Sequence, residues 1–211
     1  MRTRSADAGG APLALLYSLP GEPLPLRVAL PRGSVTRVRM PDRAAKGRFV
    51  AAVLEARCHE PGEELHLLGE QASKLDPAAR RKLRRRVGVL TPGLRLMSNL
   101  NAWENIALAA AYHGTPPLER VARTAHEVLR SLGAAPDRLL GRLPEELDSL
   151  DRKLVAFVRL ITAEPELAVF DAVDEGLSAG ETNLSSRFEA EYRSRQPAGS
   201  LLHVDSEREE L

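Results

Sequence analysis

Two charged residues stand where their types could do chemistry: an acid directly after an apolar run, and a lysine between a strand candidate and a helix candidate. Asp171 closes Leu167–Phe170, four apolar residues between Pro165 and a turn containing Gly176. A short apolar run bounded by turn signals reads as a strand buried on both faces. An acid at the C-terminal end of such a strand sits where open α/β sheets bind ligands, and there it can help to hold Mg²⁺. The plain alternative is an Asp that only starts a turn. Lys46 falls in Pro41–Gly47, which reads as a loop between a strand and a helix. A lysine in that position can reach a phosphate, although on pattern alone it is a solvated side chain.

The elements that must position these residues follow from periodicity. Strand candidates are Leu13–Leu16 ending at Tyr17, Leu26–Leu30, Ser34–Met40, Gly62–Gly69, Val87–Leu90 and Leu201–Val204. Helix candidates are Phe49–Ala56, a helix opened by Asp76-Pro77, Ala102–Tyr112, Pro117–Leu132, Leu150–Ile161 and Thr182–Arg195. Asp76 suits an N-cap and Pro77 the first helical position. Helix Pro117–Leu132 places Leu118, Val121, Ala122, Ala125, Val128 and Leu129 on one face. Residues 1–11 read as a disordered leader. Strands on both sides of a helical block predict one α/β core, residues 12–92 and 149–211, with a helical subdomain at 93–148.

Composition sets bounds. Lys+Arg 30 against Asp+Glu 29 leaves a net charge of +1, which gives no case for nucleic acid. Arg80–Arg86 is a local basic run, and such a run is usually a solvated helix face. One cysteine, Cys58, excludes an intrachain disulfide. No stretch approaches about 20 apolar residues, so no membrane span is expected.

Three stretches carry a resemblance. They are Leu68–Leu90, then Arg95–Leu108 (R-L-M-S-N-L-N-A-W-E-N-I-A-L), then Leu143–Asp171. In order and spacing, over residues 12–206, the chain resembles an ABC-type ATPase, the nucleotide-binding subunit of an ATP-binding-cassette transporter. The segment Asn99–Asn105, with Trp103-Glu104-Asn105, is similar to the ATPase subunits of bacterial lipid-transport ABC systems. The resemblance implies a P-loop NTPase core with an inserted helical subdomain, an ATP/Mg²⁺ site, a permease partner and a dimer. It also implies a cytoplasmic protein lying on the membrane face.

Most of the residues that the family uses are absent. The phosphate loop G-x-x-x-x-G-K-[ST] matches Met40–Gly47, where Met40 and Ala45 replace glycines and Gly47 replaces the hydroxyl residue. Backbone amides close around phosphate at angles that glycine tolerates best, and the hydroxyl would bind Mg²⁺. Lys46 remains as a relic of the phosphate lysine. Pro92 stands at the glutamine position, and the signature L-S-G-G-Q becomes Leu147-Asp148-Ser149-Leu150-Asp151. Leu150 would block the approach to a γ-phosphate, and Asp148 and Asp151 would repel it; equally, these acids make a good helix cap. Ala172 replaces the catalytic Glu, Ser178 replaces an Asp, and the catalytic His falls at Asp205 or Ser206. His203 reads as a packing residue. Tyr17 stands where an adenine-stacking aromatic is expected, and reads equally as core.

The expectation is therefore a degenerate, non-hydrolysing pseudo-ATPase with a structural or regulatory role in a membrane transport complex. Lys46, Asp171 and Tyr17 are its vestigial nucleotide contacts, with no catalytic or metal residue assigned and ATP/Mg²⁺ binding weak or absent. Its expected partner is a permease or a competent ATPase subunit, in a homo- or heterodimer. Two alternatives stay open: an active or heterodimeric transport ATPase, and a soluble regulatory scaffold unrelated to transport.

Overall fold

A computed structural model describes residues 13–18, 25–92, 96–114, 116–177 and 183–206. The expected leader and Ser178 lie outside the described residues. The chain opens with β1 (Leu13–Ser18), β2 (Leu26–Leu30), β3 (Val35–Met40) and α1 (Arg43–Glu55). Next come β4 (Glu64–Leu67), β5 (Glu70–Gln71), α2 (Pro77–Arg85) and β6 (Val87–Leu90). The helical block is α3 (Ala102–His113), α4 (Leu118–Ser131) and α5 (Pro136–Leu139), followed by α6 (Ser149–Thr162). The chain returns through β7 (Leu167–Asp171), α7 (Leu184–Arg195) and β8 (Ser200–Ser206).

The strands form two sheets. One is antiparallel, in the order β2-β1-β4-β5; the other is parallel, in the order β3-β8-β7-β6. β7 lies inside the parallel sheet, between β8 and β6, and every one of its residues is buried. Its side chains alternate between two cores. Leu167 and Val169 join the cluster with α1 and the antiparallel sheet, whereas Ala168 and Phe170 join the cluster with α3, α4, α6 and α7. This alternation is why the strand reads as continuous apolar sequence: neither face meets water. Phe157 of α6 stacks on Phe188 of α7 at 3.9 Å and meets Phe170 edge-on at 6.2 Å, which seats both helices on the sheet. At the far end, the Tyr192 hydroxyl donates toward the carbonyls of Pro165 and Ser200, at 3.0 and 3.2 Å.

Several expected boundaries shift. The Gly62–Gly69 stretch is shorter as a strand, because Leu68 and Gly69 adopt positive φ and turn the chain into β5. Helix α7 starts at Leu184. On α4, Val121, Ala125, Val128 and Leu129 are buried as expected, but Leu118 in the first turn is exposed. The largest correction concerns Pro41–Gly47. It is not a loop: α1 begins at Arg43, six residues earlier than the expected Phe49. Asp42 is the reason. Its carboxylate accepts from the Ala45 amide at 2.7 Å, so the side chain caps the helix immediately after β3.

Candidate functional site

The two residues singled out for chemistry meet at one point. Asp171 ends β7, and Lys46 lies in the second turn of α1. The Lys46 Nζ is 2.8 Å from Asp171 Oδ1, with both side chains largely buried. That oxygen has an ion-pair partner but no aligned hydrogen-bond donor. The other oxygen, Oδ2, accepts from the Thr91 hydroxyl at 2.7 Å. Thr91 follows β6 directly, so three neighbouring elements, β6, β7 and α1, converge on a single carboxylate. A charge pair this buried holds its geometry firmly, because removing one partner leaves the other uncompensated.

Around this pair, the groups that would meet phosphate are engaged within the chain. Asp42 puts a carboxylate on the first turn of α1, where a helix N-terminus would otherwise offer its amides to an anion. Gly47 has no strained backbone; it is an exposed residue inside α1. Arg43 at the start of α1 faces Glu175, in the turn after β7, at 3.4 Å. Ala172, at the glutamate position, has φ 46, in the left-handed region.

Asp171 also lines a cleft of about 560 Å³ between the sheet edge and the helical block. Thr91, Pro92, Ala172 and Glu175 line one side, and Ser149, Arg152 and Lys153 of α6 line the other. Burial pulls the Lys153 ammonium below the usual lysine range, and Glu175 and Asp174 partly oppose that. The α6 N-terminus is closed in the same way as that of α1: Asp148 is its N-cap and accepts from the Asp151 amide at 2.8 Å. Burial, then the neighbouring Asp148 charge, raises the Asp151 carboxyl above its ordinary value.

Two other candidates are brought elsewhere. Tyr17 is 2% exposed. Its hydroxyl donates to Glu63 at 2.6 Å and its ring meets Phe49 edge-on at 5.1 Å. Burial, reinforced by that bond, holds the phenol neutral. The ring is a core residue with no face free for a base, which corrects its expected stacking role. His203 is buried in β8, edge-on to Phe170 at 5.5 Å, with Nε2 3.0 Å from Glu189. Asp205 is exposed and Ser206 half-buried at the end of the same strand. Among the described residues, no group of three or more His, Cys, Asp or Glu is placed to hold a metal ion.

Sequence reasoning passed over Thr91 and Asp42. Thr91 gives no local signal, since its role depends on β6 and β7 pairing in register, Leu90 beside Phe170. Asp42 does give one: a capping acid just before helix-forming residues, the same sign that located α2 at Asp76.

The architecture is that of the ABC-type ATPases, a P-loop NTPase core with an inserted helical subdomain. A solved ATP-binding subunit of an ABC transporter covers 92% of this chain, and the match covers 80% of that one, with a TM-score of 0.69 and 17% identity. The dimeric bacterial ABC transporter cassette MJ0796 matches 92% of this chain and 85% of its own, with the same TM-score and identity. In sequence, the chain is related to ABC transporter ATP-binding subunits. It is 27% identical over 150 residues to the methionine import ATP-binding protein MetN of Brucella abortus (strain 2308), which covers 71% of this chain and 40% of that protein. It is 26% identical over 166 residues to MetN of Xanthomonas axonopodis pv. citri (strain 306), covering 76% and 48%. The chain thus spans less than half the length of these relatives. No family model matches.

Proposed function

We propose that this chain is a non-hydrolysing subunit of a membrane transport assembly, built on the ABC ATPase fold. One observation carries the reading. Both helix N-termini that would face phosphate in that fold, those of α1 and α6, are capped by the chain's own aspartates, Asp42 and Asp148. Each carboxylate takes one of the free amides, of Ala45 and of Asp151, and its charge repels an incoming anion. Gly47 brings no hydroxyl to Mg²⁺, Ala172 can neither orient nor deprotonate water, and Tyr17 offers no ring face. These residues do not fit Mg·ATP, and they supply no base for hydrolysis.

The helical subdomain, residues 93–148, is the surface for a partner, a permease or a competent ATPase subunit. Among the described residues, the large exposed apolar side chains are Met97, Leu108, Tyr112, Leu118 and Leu143, all within that span. Apolar side chains gathered on one lobe suit a docking face. The lipid-transport likeness of Trp103-Glu104-Asn105 is weaker support for the substrate class than the methionine import named for the relatives above.

A second reading has its own observation. Lys46, Asp171 and Thr91 remain assembled, and Asp171 Oδ1 keeps an acceptor without a hydrogen-bond donor. A heterodimer could use that remnant as one weak nucleotide site. Steady-state phosphate release separates the readings, with Lys46→Ala reporting contaminant activity. The expected result is the same rate for both proteins, and no Mg²⁺-dependent ATP binding by calorimetry. Turnover lost in Lys46→Ala would overturn the proposal in favour of an active transport ATPase, and Mg²⁺-dependent ATP binding without turnover would favour the heterodimer.

A further inference from the structure

A second cleft, of about 990 Å³, opens on another part of the molecule, against the start of β6 rather than its end. Its walls are α2, α3 and the last turns of α6. Arg81, Arg84 and Arg85 of α2 line it from one helix face, at i, i+3 and i+4 spacing. Arg120 and Arg159 line it from α4 and α6. Against these five guanidiniums stands one lining carboxylate, Glu164, and Arg120 already pairs with it. None of Arg81, Arg84, Arg85 or Arg159 has an ion pair among the described residues.

Arg159 is the decisive residue. Its Nη2 is buried with no hydrogen-bond partner among the described residues. Burial alone pulls its guanidinium below the usual arginine range, and no neighbouring carboxylate opposes this. An arginine in a protein cannot shed its charge, so a buried and unanswered one is costly unless an anion arrives. The floor of the cleft is apolar, with Leu54, Val87, Ile106 and Ala110. At that volume the cleft is too large for a lone inorganic anion and sits at the upper end of small-ligand pockets.

We propose that this arginine-walled cleft binds a phosphate-bearing anion with an apolar body, with Arg159 as its buried anchor. Planar guanidiniums grip phosphate through paired N–H donors, and several converging on one cleft suit a multiply charged group better than a single carboxylate. The same chemistry is offered by a soluble phosphorylated metabolite and by an anionic phospholipid headgroup. The lining shares no residue with the cleft that Asp171 lines, so the proposal stands on different side chains from those around Asp171 and Lys46.

The test uses two probes on the full chain. Calorimetry with 1-naphthyl phosphate, a phosphate with an apolar body, at constant ionic strength set with chloride, reads the soluble source. Co-sedimentation with phosphatidylcholine vesicles, with and without phosphatidylglycerol, reads the lipid source. Either probe should bind, and Arg159→Met should weaken that binding by about tenfold or more, because it removes charge-assisted donors while keeping the stem. If Arg159→Met does not fold, Arg84→Ala with Arg85→Ala, on the exposed face of α2, carries the same expectation. Failure of both probes overturns the proposal. Binding that survives the substitutions places the phosphate elsewhere and also overturns it. Capture of a synthetic acidic helical peptide with neither phosphate probe bound would reassign the cleft to a protein partner.

Discussion

Gly47 tests how far the phosphate loop has become an ordinary helix. It sits exposed inside α1, and a Cβ added there would meet nothing within 4 Å. Glycine in a helix interior costs about 0.5–1 kcal/mol relative to alanine. Gly47→Ala should therefore raise stability by about that much, read as a higher urea midpoint with an unchanged slope. A loss would mean that the backbone there needs freedom a helix does not use. His203 offers a test in pH. Burial first, then the Arg37 charge, depresses its imidazole, and Glu189 and Asp205 only partly restore it. The folded pKa thus lies below the unfolded value of about 6.5, so the unfolded chain binds more protons in between. The contribution is present above pH of about 6.5 and is lost as pH falls through the folded pKa. Thermal midpoints between pH 5 and 7.5 should fall toward acid, and His203→Phe should flatten that slope; an equally steep variant would assign it to other groups. Both residues also mark what was legible. His203 as a packing residue follows from its place in the apolar run Leu201–Val204. The helical state of Gly47 was hidden, because Pro41–Gly47, with a proline at one end and a glycine at the other, reads as a loop where the Asp42 cap starts a helix.

The turn before α3 is the element whose sequence says most. Asn101 accepts from the Glu104 amide and Glu104 accepts from the Asn101 amide, both at 2.8 Å, a reciprocal cap. Asn105 is fully buried behind it. Its Oδ1 accepts from the Met97 amide at 2.7 Å, and its Nδ2 donates to the carbonyls of Met97, Leu100 and Asn101 at 2.8–3.1 Å. The turn at Ser98-Asn99 holds because one side-chain amide satisfies its backbone from within. Asn105→Ala would strand those groups at a cost of about 2–3 kcal/mol, visible as an earlier urea midpoint. A change within about 0.5 kcal/mol would show that water replaces the amide without loss. Met97 is exposed on this turn, while Trp103 is half-buried and packs against the core. The set Leu96, Met97, Leu100 and Trp103, spaced i, i+1, i+4 and i+7, is therefore divided between surface and core. Spacing could not divide it, since Met97 lies in the turn and Trp103 in the helix, and helical periodicity does not run across that boundary.

At the scale of the whole molecule, the helical subdomain and the parallel sheet share one core. Ala102, Ile106, Val121, Ala125 and Val128 of the helical block lie in the same buried cluster as Leu90, Ala168, Phe170 and Leu201 of the sheet. Helix α6 connects them: it packs on α3 and α4 and leads directly into β7, with Phe157 against Phe170. A lobe that shares its core with the sheet has no separate apolar interior on which to fold. The alternation of apolar runs with helical periods made the α/β class and the insertion readable, but this shared core depends on contacts between distant segments that no local pattern carries. Unfolding should show it. The chain has a single tryptophan, Trp103, which reports on the helical block, while far-ultraviolet ellipticity reports on all elements. The two signals should give the same urea midpoint, because a shared core unfolds as one unit. Tryptophan fluorescence changing at a distinctly lower urea concentration would show that the helical block opens first. The same comparison in Asn105→Ala should move both midpoints together, even though the altered turn lies wholly within the block.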